Sequence, residues 1–307
     1  MSKRVFITGA AGLVGQNLIA QLGDAASIVG VDKHAENLAT LRQLRPEATL
    51  IEADLAEPGP WQAAAAECDT VIMLQAQIGG LDWAEFERNN VTATHRVLEA
   101  AAKSSAYLVH VSSSVVNSQA NDFYTESKTA QEAVVDACGL THVVLRPTLM
   151  FGWFDRKHIG WLKRFMERVP VFPIPGDGRY LRQPLFAGDF ASIIASCIER
   201  ELTGAYNISG LEKIDYVDMI RLLRKVTGLR TPIVHVPYKL FWGLLAAYAL
   251  VDRNPPFTTK QLEALVTPDV FEVIDWPAIF SVRATPLEEA FEKTFLDPVY
   301  SNVTLRF

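Results

Sequence analysis

Short apolar runs alternate with segments of helical period through the first half of the chain. The runs are nearly continuous, which is typical of strands that are covered on both faces. They predict strands at residues 5–8, 27–32, 48–52, 70–74, 107–112 and 141–145. Helical patterns lie between them, most clearly at residues 83–102 and 124–138. This alternation predicts the α/β class, with a doubly wound parallel sheet and helices on both of its faces.

The pattern changes after Arg146 and Pro147. Prolines and aromatic residues cluster between Trp153 and Pro184, and the chain then offers a helix at residues 190–200, a strand at 205–208 and a helix at 215–226. We predict a core at residues 1–150 and, at residues 151–307, mainly a smaller C-terminal α/β lobe, with a segment near 184–208 returning to the core. A substrate pocket is expected between core and lobe, at the carboxyl ends of the strands.

The longest apolar segment covers residues 240–251, within a predicted helix at residues 238–251. It is well short of the roughly 20 residues that a helix needs to span a bilayer, so we predict no transmembrane segment. Two interpretations stay open. The helix is buried or half-buried, or it forms an apolar lip for a lipid-linked substrate or a weak contact with a membrane surface.

A glycine-rich turn joins the first predicted strand to the first helix, and an acid ends the second strand. Gly9, Gly12 and Gly15 let backbone N–H groups approach a pyrophosphate, and the positive end of the helix points at the same phosphates. Asp32 is placed to accept the hydroxyls of an adenosine ribose. With strand, helix and acid in this order, the turn predicts a Rossmann-type nucleotide-binding core.

Tyr124 and Lys128 are four residues apart in a predicted helix and therefore share one of its faces. A free tyrosine has a pKa of about 10 and is a poor base at neutral pH. A neighbouring ammonium favours the phenolate and lowers that pKa. Such a pair can move a proton on or off a substrate hydroxyl while a hydride moves at the adjacent carbon. The alternative is an exposed helical pair with no role in catalysis.

The strand before this helix ends in hydroxyl side chains. Because the carboxyl end of a strand in this fold faces the cofactor, a serine there can hydrogen-bond the reacting oxygen beside Tyr124. Ser114 is the first choice for this role and Ser113 the second. At least one of the serines is expected only to satisfy the local backbone.

Composition and charge narrow the functional class. The 307 residues are 49% hydrophobic and carry a formal net charge of −6, which describes a soluble globular protein. No basic stretch indicates nucleic acid as a partner. Cys68, Cys138 and Cys197 lack the paired spacing of a disulfide framework or a metal site, so no metal is expected. Because the first residues run directly into a strand, we predict no signal peptide and a cytoplasmic location.

Taken in order, these features resemble the extended short-chain dehydrogenases/reductases, and within them the NAD-dependent epimerase/dehydratase family with its sugar-nucleotide epimerases. Asp54 with Leu55 matches the adenine contact, and Asn90 matches a structural asparagine of the family. The run from Arg146 to Gly152 resembles the family's Arg-Pro…Tyr-Gly run. The resemblance implies NAD as cofactor, a small-molecule substrate and a homodimer formed through the helices at 83–102 and 124–138.

The site residues that we predict fall into three groups. The expected dinucleotide contacts are Gly9, Ala11, Gly12, Leu13, Val14, Gly15, Asp32, Lys33, Asp54, Leu55, Leu74, Gln75, Ala76, Lys128 and Pro147. The expected catalytic residues are Tyr124, Lys128, Ser114 and Ser113, and the expected substrate contacts are Gln77, Ser114 and Arg182. In sugar-nucleotide members an arginine at the position of Arg182 pairs with the substrate diphosphate; the alternative is a solvated loop arginine. Asp32 favours NAD over NADP because a carboxylate repels a 2′-phosphate, although Lys33 weakens this preference.

Two departures from the family pattern matter for function. Leu74-Gln75-Ala76-Gln77 replaces the usual Ala-Ala turn after the fourth strand, so the glutamines line the site differently. Dehydratases usually carry acidic side chains directly after the serine strand, whereas this chain has Val115-Val116-Asn117. The sequence therefore argues against dehydration.

The leading hypothesis is an NAD-dependent epimerase or oxidoreductase that acts on a secondary alcohol of a nucleotide-linked sugar. A hydroxysteroid- or lipid-type dehydrogenase is the alternative within enzymes, because His235-Val236-Pro237 precedes an apolar helix as in some of those members. A non-catalytic dinucleotide-binding scaffold is the alternative outside enzymes. Its basis is a segment at residues 255–262 that resembles the branch containing accessory subunits of complex I.

Overall fold

The computed structural model describes residues 3–117, 122–251, 258–267 and 271–306. The strands are β1 (Lys3–Thr8), β2 (Ala26–Asp32), β3 (Thr49–Glu52), β4 (Thr70–Met73), β5 (Tyr107–Val111), β6 (His142–Pro147), β7 (Met150–Phe151), β8 (Phe172–Pro175), β9 (Leu181–Arg182), β10 (Leu185–Phe186), β11 (Gly204–Ile208), β12 (Ile214–Asp215) and β13 (Ile233–Val236). The helices are α1 (Leu13–Leu22), α2 (Ala35–Leu44), α3 (Trp61–Ala65), α4 (Trp83–Phe86), α5 (Ala93–Ala101), α6 (Phe123–Asp136), α7 (Ile159–Arg168), α8 (Ala187–Arg200), α9 (Tyr216–Thr227), α10 (Tyr238–Val251), α11 (Thr259–Val266), α12 (Trp276–Phe280) and α13 (Leu287–Leu296). A π-helical segment, Glu87–Thr92, joins α4 to α5.

Seven parallel strands form the central sheet in the order β11-β6-β5-β4-β1-β2-β3. The predicted doubly wound parallel sheet is confirmed. From β1 the chain winds outward to β3, and it then returns to the other side of β1 with β4. Such a reversal opens a crevice at the carboxyl ends of the neighbouring strands, which is where ligands bind in sheets of this kind. β11, from the segment that follows the aromatic-rich region, pairs with β6 in the same sheet.

Two apolar clusters cover the two faces of the sheet. Phe190 of α8 and Trp276 of α12 belong to one cluster, which also takes in the buried side of α1. Trp61 of α3 and Val97 of α5 belong to the other. All four side chains are almost fully buried. Both faces of each central strand are thus apolar, which is the reason the strands read as continuous apolar runs.

A third apolar cluster lies within the region predicted as the C-terminal lobe. It contains Phe151, Phe172, Ile220 and Phe291, each at most 2% exposed. α9 packs against α13, and β13 pairs with β8 to form a small parallel ribbon. The last residues leave this lobe and return to the core, where Leu305 is buried and the backbone of Arg306 is bound by the side chain of Asn37.

The predicted apolar helix forms as α10, but it is not buried. Leu240 is 55% exposed and Leu244 is 60% exposed, and Trp242 and Tyr248 are also exposed. A fully buried α10 is therefore excluded, whereas Phe241, Leu245 and Ala246 are half-buried and agree with the half-buried form of that interpretation. Among the helices of the described residues, none combines the length and apolar character required to cross a membrane.

Candidate active site

The glycine turn between β1 and α1 has the geometry of an anion site. Gly9 has a positive φ of 62° and its carbonyl accepts the N–H of Gly12 at 3.1 Å. No side chain caps α1, and its first turn carries no acid, so the first backbone N–H groups are left for a ligand. A Cβ at Gly15 would lie 2.5 Å from the carbonyl oxygen of Ala10, so a glycine is needed there for close packing. The donor set of the turn fits a pyrophosphate.

Asp32 ties the glycine turn to the end of β2. One carboxylate oxygen accepts the N–H of Ala11 at 3.0 Å, and the other accepts the N–H of His34 at 3.0 Å. Because a carboxylate oxygen can accept two hydrogen bonds, each keeps a lone pair for a ribose hydroxyl. The ammonium of Lys33, the next residue, donates to the side chain of Asn89 at 3.1 Å. Asp32 is thus hydrogen-bonded directly to the glycine turn.

The predicted adenine contacts lie at the end of β3. Leu55 is 7% exposed, and Asp54 accepts a hydrogen bond from Arg88 at 2.6 Å. Burial raises the pKa of Asp54, but the hydrogen bonds from Arg88 and from the N–H of Ala56, with the positive charge of Arg88, hold it below the ordinary value. Asp54 is therefore ionised at neutral pH. A groove of about 420 Å³ adjoins it, lined by Lys33, Gln77, Ala84, Glu85, Arg88 and Asn89.

The glutamine-containing loop after β4 is held by side chains on both sides. Thr8 accepts the N–H of Leu74 at 3.0 Å and donates to the side-chain oxygen of Gln75. The amide of Asn90 pairs with the backbone of Gln77, accepting its N–H at 2.7 Å and donating to its carbonyl at 3.1 Å. Sequence reasoning missed Thr8, whose only signal was a hydroxyl at the last position of β1. Ala76, between the two glutamines, is exposed.

Asn90 also connects this loop to α6, the helix that carries Tyr124 and Lys128. Its side-chain nitrogen donates to the hydroxyl of Ser127 at 2.8 Å, and that hydroxyl donates to the carbonyl of Tyr124 at 2.9 Å. Asp122 caps the N-terminus of α6 by accepting the N–H of Thr125 at 2.8 Å. The cap was missed as well, although an aspartate just before a helical pattern is its usual signal.

The side chains of Tyr124 and Ser113 are neighbours. Ser113 is 9% exposed and follows the end of β5, whereas Ser114 begins a short 3₁₀ turn and is half-buried. Of the two candidate serines, the second choice is the one in contact with Tyr124. Residues 118–121, which lie between Ser114 and Tyr124 in the sequence, fall outside the described residues, as do residues 255–257 of the segment compared with complex I subunits.

Lys128 is fully buried beneath the end of β5, so the alternative of an exposed helical pair is wrong. Its ammonium donates to the carbonyl of Val111 at 2.9 Å. Burial lowers the pKa of Lys128 to about 7, against the opposing effect of Glu132. This lysine is thus partly neutral at physiological pH, unlike an exposed lysine.

The predicted lowering of the Tyr124 pKa is also wrong. Burial raises this pKa above its ordinary value, and the charge of Asp122 raises it further, while the hydrogen bond with Ser113 lowers it. The physical reason is that Tyr124 is itself shielded from water, which disfavours the phenolate. The phenol is therefore protonated at neutral pH.

Arg182 lies in β9 and is held in place. Its guanidinium donates to the carbonyls of Leu181 at 3.1 Å and Thr267 at 2.8 Å, and it stacks over the ring of Tyr180 at 5.4 Å. Arg182 thus lies in a strand rather than a loop, and its hydrogen bonds are at the solvent-exposed surface. Pro147, a predicted cofactor contact, is buried at the end of β6.

Residues 5–209 match the sequence model of the NAD dependent epimerase/dehydratase family. The chain belongs to this family. One relative is the ceramide reductase of Caulobacter vibrioides (strain NA1000 / CB15N), which is 25% identical over 270 residues that cover 87% of this chain and 81% of the relative. The chain is an NAD-dependent enzyme of the extended short-chain dehydrogenase/reductase type, and the hypothesis of a non-catalytic scaffold is not retained.

Solved structures share the fold of the whole chain. The Bordetella bronchiseptica enzyme WbmH in complex with NAD+ has a TM-score of 0.74 and 17% identity, with coverage of 96% of this chain and 99% of that chain. UDP-glucuronic acid 4-epimerase from Bacillus cereus in complex with NAD has a TM-score of 0.66 and 21% identity, with coverage of 85% of this chain and 99% of that chain. NAD is the cofactor of the family, and the uncapped helix, the glycine turn and Asp32 fit it.

Proposed function

We propose that this enzyme interconverts a secondary alcohol and a ketone, with Tyr124 as the acid/base. The observation that carries the proposal is the proximity of the Tyr124 and Ser113 side chains at the end of β5, with the buried Lys128 one helical turn away from Tyr124. Two hydroxyl groups that converge at the carboxyl end of a central strand can both reach one substrate oxygen. NAD, when bound in the crevice, supplies or accepts the hydride at the adjacent carbon.

The environment of Tyr124 suits it to donate a proton. Since its pKa is raised by burial, the phenol is intact at neutral pH and can protonate the oxygen of a carbonyl as the alcohol forms. Ser113 positions that oxygen. Burial gives Lys128 a pKa of about 7, so its ammonium form is present in part of the molecules at neutral pH. The positive charge of that form stabilises the Tyr124 phenolate that remains after the proton has been transferred. In the opposite direction the same residues accept the proton of the alcohol.

A nucleotide-linked sugar is the first substrate class that we propose. Its support is the similarity of fold to a UDP-glucuronic acid 4-epimerase and the position of Arg182, a cation that β9 and the carbonyl of Thr267 hold in a fixed orientation. A guanidinium held in this way is suited to pair with a diphosphate. Epimerisation would then return the hydride to the opposite face of the bound ketone.

A lipid is the second candidate class, and a specific observation favours it. The helix α10 exposes large apolar side chains, which a sugar nucleotide does not require. A ceramide reductase is among the relatives of the chain. With such a substrate the reaction would be a net reduction or oxidation rather than an epimerisation.

The two classes are separated by incubating the purified enzyme with NAD or NADH and two panels of compounds. One panel contains UDP-sugars, and the other contains long-chain hydroxy and keto lipids dispersed in detergent. Interconversion of two sugars without net NADH change supports an epimerase, whereas stoichiometric NADH turnover with a lipid supports the second class. Turnover that is unchanged in Tyr124→Phe would contradict the proposed chemistry for either class.

A further inference from the structure

The helix α10 exposes apolar side chains on opposite sides. Trp242 is 42% exposed and Leu244 is 60% exposed, and two residues that are two positions apart in a helix point in nearly opposite directions. Leu240 and Tyr248 are 55% and 47% exposed. The helix contains no Asp or Glu, and its one charged residue is Lys239. α10 therefore has no polar face for water.

The apolar surface continues onto the neighbouring ribbon of β8 and β13. β13 leads into α10 through Pro237, and its Val234 is 42% exposed. Val171, just before β8, is 44% exposed, and the register places Phe172 opposite Ile233. Exposed apolar side chains scattered singly are ordinary on a protein surface, but a set that gathers on one helix and the strand leading into it is typical of an interaction site.

Basic residues dominate the segments that surround this surface. Residues 215–251 contain five Lys or Arg and two acidic residues, and residues 155–177 contain five Lys or Arg and three acidic residues, in a chain whose net charge is −6. The two segments meet where the hydroxyl of Thr231 donates to the carbonyl of Met166 at 2.8 Å. Three of the bases pair with acids, for example Lys225 with Glu288, and basic residues outnumber acidic ones in both segments.

We propose that α10 and these basic segments bind the surface of an anionic lipid bilayer, with α10 lying in the boundary between headgroups and acyl chains. The 14 residues of α10 extend over about 21 Å, which is too short to span a hydrocarbon core of about 30 Å. Lipid can cover the apolar side chains on opposite sides of α10, whereas a groove on a protein partner would cover only one side. A lipid surface therefore suits this helix better than a protein groove.

The side chains of α10 suit this boundary. Tyr238, Trp242 and Tyr248 are the residue types that concentrate at the interface between membrane and water. The aliphatic stem of Lys239 can lie along the apolar region while its ammonium reaches the headgroups. Basic residues near an anionic surface add an attraction that weakens with salt. The proposal concerns where the enzyme works and does not depend on which substrate it uses.

Flotation of the full-length protein with vesicles tests this proposal. The vesicles contain equal parts of phosphatidylglycerol and phosphatidylcholine, or phosphatidylcholine alone. We expect the wild type to float with the anionic vesicles, and the double variant Trp242→Glu/Leu244→Glu to lose at least tenfold in affinity. Leu296→Glu, which changes a leucine of similar exposure at the end of α13, is the matched control and should bind like the wild type. Unfolding temperature and NAD affinity verify that each variant is folded.

A second measurement keeps the test independent of the folding of the double variant. Tryptophan emission of the wild type should shift to shorter wavelength on adding anionic vesicles, and Trp242→Phe should remove most of that shift. The proposal is overturned if the wild type does not float, if the double variant floats as well as the wild type, or if Trp242→Phe leaves the shift unchanged. A lipid-free dimer that the double variant dissociates, without vesicle binding by the wild type, would instead assign α10 to a second copy of this chain.

Discussion

Tyr124 and Lys128 lie on one face of α6, and burial shifts the pKa of each group so that its neutral form is favoured. The phenol becomes a weaker acid and the ammonium becomes a stronger acid. Their spacing was evident from the sequence, but the shifts were not, because they depend on how closely β5 and α6 exclude water. The same limit applies to the serines. Ser113 and Ser114 are adjacent in sequence, and only the geometry at the end of β5 shows which of them contacts Tyr124.

Replacing the serine that contacts Tyr124 should affect turnover specifically. We expect Ser113→Ala to lower kcat by at least about tenfold, since one of two donors to the reacting oxygen is lost. Ser114→Ala is the matched control and should change kcat less than about threefold. Steady-state kinetics on the first substrate identified provides the comparison. An equal loss in both variants would contradict the assignment of Ser113.

The buried lysine makes stability depend on pH in a predictable direction. Lys128 has a pKa of about 7 in the folded protein because it is buried, against an ordinary value of 10.5. Between these values the unfolded chain holds a proton that the folded chain does not, so this residue makes the protein more stable as pH rises. Lys128→Met removes the effect and should be more stable than the wild type at pH 7.

We expect that advantage of Lys128→Met to shrink by about 1.4 kcal/mol per pH unit as the pH rises from 7 toward about 9. Urea unfolding of both proteins at several pH values measures it. A difference in unfolding free energy that does not vary with pH would show that Lys128 is not desolvated in the folded state.

At the scale of single elements, the β1–α1 turn was predicted most completely. Its function depends on backbone geometry at Gly9, Gly12 and Gly15, and glycine itself is visible in a sequence. The exposure of α10 was not predictable, since an apolar segment of this length is equally compatible with burial in a core. Arg182 is a similar case, because its acceptor on Thr267 is 85 residues away in the chain.

The glycine turn should not tolerate a methyl group at its third glycine. A Cβ at Gly15 would lie 2.5 Å from the carbonyl oxygen of Ala10 and 2.6 Å from that of Gly9, and backbone atoms cannot easily move aside. We expect Gly15→Ala to destabilise the fold by about 1–3 kcal/mol and to weaken NAD binding at least about tenfold.

Gly243→Ala is the matched control, because Gly243 lies in α10 with no atom within 4 Å of an added Cβ. It should leave NAD binding unchanged and raise helix stability by up to about 1 kcal/mol. Thermal unfolding and isothermal calorimetry with NAD distinguish the two variants. Normal NAD affinity in Gly15→Ala would contradict the assignment of this turn.

Across the whole molecule, the C-terminal residues connect the lobe to the core. Tyr300 stacks against Trp153 with ring centroids 4.5 Å apart. Asn37 of α2 donates to the carbonyl of Arg306 at 2.6 Å and accepts its N–H at 2.8 Å. Neither contact was predictable, because they join positions more than 100 residues apart with no repeated pattern. The seven-stranded sheet was predictable, because each strand and helix carries its own periodicity.

The contact between Asn37 and the C-terminal residues should contribute to global stability. Asn37→Ala removes two hydrogen bonds to the backbone of Arg306, and since water can reach this exposed residue we expect a cost of about 0.5–1.5 kcal/mol per bond. Asn302→Ala, at an exposed asparagine in the same segment, is the control and should cost less than about 0.5 kcal/mol. Urea unfolding measures both, and equal stability of the two variants would mean that the C-terminal residues do not anchor the lobe.

In the proposed chemistry, Tyr124 transfers the proton that accompanies hydride transfer to or from NAD. The most direct test is a single-turnover measurement of NADH absorbance with wild-type enzyme and Tyr124→Phe, using the first compound that either substrate panel identifies. We predict a rate at least about a hundredfold lower in the variant, with unchanged affinity for NAD by calorimetry. Equal rates in the two proteins would contradict the claim, because the phenol would then play no part in the chemistry.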